Sequence, residues 1–222
     1  MTGIEGLLIE GRPARYVQLP TAAAPEGADR LSYWLDLGAA QAERLGVAQV
    51  PVLVRDREEA DSADLAGLID GAGLIYLSGG SPAFLAQTLR GSRVWQAIHA
   101  AWQAGSALAG CSAGAMALTG WVPSMRALHR EPDPGLGVLP HLRVLPHFDK
   151  MLGWVPDLLT RAIMHPPAGT TVLGIDEDTA LVDLSGEGRS WQVHGRQQVW
   201  ALADGPRRGF PAGATIATPA TA

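Results

Sequence analysis

Residues 106–120 read SALAGCSAGAMALTG. Small apolar residues run into Gly110. The chain's single cysteine, Cys111, comes next, then Ser112, and an alanine-rich run continues from Ala113. Two readings compete. In one, small residues simply let the start of a helix pack closely against its neighbours. In the other, a strand bends sharply into a helix and a nucleophile sits on the bend. Glycines two before and two after the nucleophile remove side chains that so tight a turn cannot hold. Gly110 and Gly114 flank Ser112 in that spacing, whereas the same frame about Cys111 would fall on Ala109 and Ala113. The frame therefore selects serine. Short motifs of this kind match by chance, but this one lies between an apolar strand pattern and a helical run, the context the turn needs. Cys111 is then read as a small buried hydrophobe.

Outward from this turn, short apolar runs alternate with longer helical patterns. ARYVQLP, AQVPVLV, GLIYLS, SALAG, LRVLP and TVLGI read as strands. GADRLSYWLDLGAAQAERLG reads as a helix with Leu31, Trp34, Leu35 and Leu45 near one face and Gly46 closing it. SADLAGLIDGA is a short helix with Ser62 as its N-cap, and SRVWQAIHAAWQAG is a helix with Val94, Ile98 and Trp102 on one stripe. This alternation predicts an α/β fold: a mainly parallel sheet with helices on both faces. The final third differs. TALVDLSGEGRSWQVHGRQQVWAL reads as consecutive strands turning at SGEG and HGRQ, with Val182, Trp191, Val193, Val199 and Trp200 packing inward. An antiparallel hairpin or meander at the sheet's edge is expected.

The chain has 222 residues, enough for one domain with a substantial core. Residues 1–222 are read as a single domain, with 211–222 as a frayed tail lacking any period. The net charge of −5 and the lack of a long basic run argue against nucleic acid or an anionic membrane as partner. One cysteine cannot form an internal disulfide, and no apolar run has signal-peptide or bilayer-spanning length, so a cytoplasmic location is expected. Trp95, Trp102, Trp121 and Trp154 exceed what the core pattern accommodates, which favours an exposed apolar patch and a homodimer.

Open parallel sheets bind ligands beyond the carboxyl ends of their strands. Those ends offer Gly79-Gly80, Ser112, His147 and the acids Asp176-Glu177-Asp178. A glycine-rich backbone, a hydroxyl, an imidazole and a carboxylate are the parts of acyl transfer by an activated serine. His147 can take the Ser112 proton, a carboxylate behind it can fix the tautomer, and the N–H groups of Gly80 and Ala113 can hold the oxyanion. His141, His165 and His194 are read as surface or hairpin residues, and His129 as part of a polar loop with Arg126 and Arg130. With no HExxH and no His-x-His spacing, neither a metal nor a cofactor is expected, although Asp149 stands near His147.

In order, IYLSGGSPAFLAQTL, AGCSAGAMAL, LPHFD and GIDEDTALV resemble the serine peptidases of the dipeptidase E and cyanophycinase family. VQLPTAAAPEG resembles that family's early strand and loop, so the likeness runs from Ala14 to Val182. The resemblance implies a fold like the class I glutamine amidotransferases, with serine replacing their cysteine. It also implies Ser112 as nucleophile, His147 as base and Glu177 as the third member, with Asp176 and Asp178 as alternatives, and a small peptide as substrate. Dipeptidase E enzymes carry an arginine-rich segment soon after the histidine, linked to selecting an N-terminal aspartate. Here DKMLGWVPDLLTRAIMHPP is apolar with one arginine, Arg161, which argues against Asp-X specificity. The family's glycine-rich first strand is likewise not evident in MTGIEGLLIEG. The leading expectation is a hydrolase of peptide or isopeptide bonds. The alternatives are an inert binding or regulatory protein on the same fold, and a glutaminase-like amidotransferase subunit.

Overall fold

The computed structural model describes residues 2–122, 133–151, 169–202 and 207–218. The chain divides into two compact units, Thr2–Ala117 and Leu118–Ala222.

The first unit is built on β1 (Arg15–Leu19), β2 (Ala48–Pro51), β3 (Leu74–Leu77) and β4 (Ala107–Gly110), all parallel, in the order β2-β1-β3-β4. Val17, Leu19, Leu74, Ile75 and Leu77 are fully buried, so β3 reads as a continuous apolar run and β1 is buried from Tyr16 to Leu19, Gln18 included. Helices α1 (Thr2–Ile9), α2 (Ala28–Leu45), α3 (Arg57–Ala60), α4 (Ala63–Gly67), α5 (Pro82–Leu89), α6 (Arg93–Gln103) and α7 (Ala113–Ala117) flank and connect these strands. The expected α/β fold with its parallel sheet is present. Because β2 and β3 lie on opposite sides of β1, the winding reverses between β1 and β3, whose carboxyl ends are where open α/β sheets bind ligands. The 3-10 turn Thr21–Glu26 follows β1 there, Gly79-Gly80 follows β3, and Ser112 follows β4.

Local chemistry explains the helix ends. Gly46 is left-handed (φ 68°) and its N–H donates to the Ala42 and Glu43 carbonyls, closing α2. Leu31, Trp34, Leu35 and Leu45 are half-buried on either side of the buried Gly38, Gln41 and Ala42. Gly38 has no room for a side chain, since a Cβ there would stand 1.9 Å from Gln18 Oε1. Ser62 caps α4 and Ser92 caps α6, accepting from Leu65 N–H at 3.3 Å and Trp95 N–H at 3.1 Å. Helices α1, α3 and α5 are not among those expected from the sequence. The signal for α5 is Ser81 at the N-cap followed by Pro82 in the first turn.

In the second unit, β5 (Trp121–Val122) and β6 (Asp133–Pro134) form a short antiparallel ribbon. β7 (Leu142–Pro146) is followed by α8 (Phe148–Met151) and pairs in parallel with β8 (Thr171–Ile175). β9 (Thr179–Val182), β10 (Ser190–Gly195), β11 (Gln198–Ala201), β12 (Arg208–Pro211) and β13 (Thr215–Ala217) supply the expected antiparallel C-terminal strands. They divide between two sheets, β12-β11-β8-β7 and β13-β10-β9. The division falls at HGRQ, where Gly195 (φ 118°) turns so tightly that a Cβ would lie 2.1 Å from the Asp178 carbonyl. Leu142, Leu173, Trp191, Val193, Val199 and Ile216 form one core cluster.

Three expectations change on inspection. The stretch read as a frayed tail contributes β13, which pairs with β10 and buries Ile216, while 219–222 lie outside the described residues. His141 is buried, with Nε2 2.8 Å from the Gly188 carbonyl. Trp95 is buried on α6, Trp102 is half-buried against His99, and Trp121 is half-buried under the Arg143 guanidinium, so these three rings form no exposed patch. Trp154, Arg126, His129, Arg130, Arg161 and His165 lie outside the described residues. Among the described residues no helix is long and apolar enough to cross a membrane.

Candidate active site

Ser112 sits between the end of β4 and the start of α7 with φ 49°, a left-handed conformation that a side-chain-bearing residue adopts only under constraint. The two glycines of its frame supply that constraint. A Cβ on Gly110 would stand 2.5 Å from the Gly114 carbonyl carbon, and one on Gly114 would stand 2.2 Å from the Leu77 carbonyl oxygen. Strand β3, the turn and the first turn of α7 thus close onto one another through bare backbone. Gly79 and Gly80 lie alongside. A Cβ on Gly79 would meet the Trp34 ring at 2.8 Å and Ser112 Cβ at 3.4 Å. Gly80 has φ 137° and lies against the backbone of Ala22 and Ala23, so only glycine fits. Ala113 is the first residue of α7 and is buried. Cys111 is half-buried. Burial pushes its thiol up, against a hydrogen bond with the Tyr76 hydroxyl that pulls it down. That favours the inert thiol form, in line with its reading as a hydrophobe.

In the second unit His147 directly follows β7, also with positive φ, 55°. Its Nδ1 lies 3.0 Å from Glu177 Oε1. The three consecutive acids separate by direction. Asp176 is buried and accepts the Trp200 indole N–H at 3.0 and 3.2 Å, and burial raises its carboxyl despite that bond. Asp178 is exposed, left-handed (φ 53°), and 3.7 Å from the Arg196 guanidinium. Glu177 is the acid turned to the imidazole. Its Oε1 also lies 2.7 Å from Lys150 Nζ. The Lys150 ammonium first, and His147 second, hold the Glu177 carboxyl below the usual carboxylate range. Lys150, Asp149 and Gln197 surround Glu177, and none of them is among the residues expected from the sequence to serve acyl transfer. The signal for the first two is their place in the turn directly after His147. Gln197 reaches the same turn through the β9–β10 hairpin, whose local signal is the SGEG turn. Among the described residues no three His, Cys, Asp or Glu side chains group to hold a metal ion.

Comparison with known proteins places the chain in a peptidase family. It belongs to Peptidase family S51, whose model matches residues 6–189. A crystal structure of a peptidase from an acI-B1 actinobacterium is 40% identical, with a TM-score of 0.88, covering 97% of this chain and 90% of that one. Cyanophycinases from Trichormus variabilis and Nostoc sp. are each 28% identical over 151 residues, 63% of this chain. That match spans 49% of their own length, about half of each relative. A Listeria monocytogenes EGD-e protein described as a peptidase E candidate shares the fold, with a TM-score of 0.56 at 15% identity.

Proposed function

We propose that this protein hydrolyses a peptide or isopeptide bond in a small substrate through Ser112, His147 and Glu177. His147 takes the Ser112 proton as the hydroxyl attacks the carbonyl carbon. The resulting oxyanion is held by the N–H groups of Gly80 and Ala113. His147 then returns the proton to the leaving amine, and water, activated by the same imidazole, releases the acyl group from Ser112. Glu177 accepts from His147 Nδ1 and stabilises the imidazolium; Asp176 and Asp178 are engaged elsewhere. The observation that carries the reading is Ser112 itself. It is left-handed at a strand-to-helix bend between two glycines whose missing Cβ atoms let the bend pack against α7 and β3. Membership of a serine peptidase family supports the same role.

Ser112→Ala is expected to abolish covalent labelling by a fluorophosphonate probe, read by intact mass. Labelling that survives the substitution sinks the nucleophile assignment. A panel of Asp-X dipeptides, β-aspartyl peptides and blocked peptides then defines the substrate. The β-aspartyl peptides stand for the isopeptide bond in that panel. Turnover of any member, lost in His147→Ala, rejects a binding-only protein on this fold. Release of ammonia from glutamine would instead mark a glutaminase.

A further inference from the structure

The turn carrying Glu177 is gripped by its backbone from both sides. Its N–H donates to Asp149 Oδ1 at 2.9 Å. Its carbonyl accepts from Gln197 Nε2 and from Thr179 Oγ1, each at 3.1 Å. The Gln197 amide also donates to Asp149 Oδ2 at 3.3 Å, and Gln197 N–H donates to Thr179 Oγ1 at 3.2 Å. Asp149 stands two residues after His147, on α8. One carboxylate therefore joins the segment that presents the imidazole to the segment that presents its acid.

We propose that Asp149, braced by Gln197, is a positioning residue that fixes the Glu177 carboxylate against His147 Nδ1. The proposal rests on the Ser112–His147–Glu177 reading. The need for such a brace follows from Lys150. Its ammonium lies 2.7 Å from the same Oε1 that meets His147, and both side chains are solvent-facing. A turn free to shift would let the carboxylate pair with Lys150 alone and leave the imidazole without its acceptor. With N–H and C=O both tied, only the side-chain torsions of Glu177 remain free. Asp149 is suited to the task as an ionised acceptor. Burial pushes its carboxyl up, but the N–H of Glu177, the Gln197 amide and its own neighbouring N–H groups outweigh this and hold it low.

The test uses the full-length protein and the second-order rate of fluorophosphonate labelling at Ser112, with thermal melting measured in parallel. Asp149→Ala is expected to slow labelling about 10- to 100-fold, the range that small misplacements of a catalytic group cost. Asp149→Asn keeps an oxygen to accept the Glu177 N–H and should restore most of the rate. Combined with Glu177→Ala, Asp149→Ala should add nothing, because a group that acts through Glu177 has no effect once Glu177 is gone. Wild-type labelling in Asp149→Ala, or a full additional loss in the double variant, overturns the proposal. Should Asp149→Ala fail to fold, Gln197→Ala, on an exposed turn, carries the test: several-fold slower labelling supports the brace and an unchanged rate overturns it. Labelling of Ser112→Ala would instead overturn the underlying triad reading, so the two failures are distinguishable.

Discussion

Lys150 gives the residue scale its clearest test. The Glu177 carboxyl lies below the usual range, chiefly because Lys150 donates to it and secondarily because His147 does. A depressed carboxyl stays ionised through the neutral range and loses its charge only as pH falls through its lowered folded value. Lys150→Met removes the larger influence, so protonation of Glu177 should move up toward the ordinary value of about 4.3. The carboxyl carbon of Glu177, followed by its 13C chemical shift, should therefore begin to titrate at higher pH in the variant than in the native protein. The stability that the ionised carboxylate contributes is also lost at higher pH in the variant, although solvent screening keeps that contribution small. Carboxyl shifts measured from about pH 2 to 7 decide the matter, and superimposable titrations would show that Lys150 does not set the charge on Glu177. What the sequence shows at this scale follows from sterics. Gly110 and Gly114 pick out Ser112 because the absence of two side chains is itself written in the sequence. Asp176, Glu177 and Asp178 could not be ranked that way. Three consecutive acids in a turn point in three directions, and only the Trp200 indole and the Arg196 guanidinium show which two are engaged elsewhere.

Helix α6 shows what an element owes to its first residue. Ser92 is fully buried and its hydroxyl accepts from the Trp95 N–H at 3.1 Å. A buried helix start cannot turn to water for its unpaired N–H groups, so Ser92→Ala should cost about 1–2 kcal/mol. Urea unfolding should show this as a lower midpoint with an unchanged slope, and an unchanged midpoint would mean that Trp95 N–H finds another acceptor. The existence of α6 and α2 was legible because their apolar stripes run for three turns or more. The short helices α3 and α5 were not, since one or two turns give too few positions for a period to emerge. Only their caps, Asp56 and Ser81, mark them.

For the whole molecule, the parallel sheet was readable because each of its strands is joined to the next through helical sequence, and that alternation permits few other arrangements. The antiparallel C-terminal strands were readable as strands but only partly in their pairing. β10 pairs with β9 across the SGEG turn and β11 with its neighbour β12, but β10 also takes β13 and β11 takes β8, and those non-consecutive partners leave no local trace. Strand β13 shows the consequence. Its three residues are too short for a period, so the sequence alone suggests a loose end. In the fold Ile216 opposes Trp191, both are buried, and Thr218 Oγ1 accepts the Trp191 indole N–H at 3.2 Å. Ending the chain after Pro211 keeps β12 but removes β13, exposing one edge of β10 and the Trp191 ring. Losing the burial of Ile216 and uncovering that ring should destabilise the second unit by about 2–4 kcal/mol. The freed edge should also promote concentration-dependent association. Hydrogen exchange reads this directly. The amides of β9 and β10 should lose protection in the truncated chain while those of β1 and β3 keep theirs. Unchanged protection in β10 would mean that the residues after Pro211 hang free, and that Trp191 owes its burial to Leu142, Leu173 and Val199 alone.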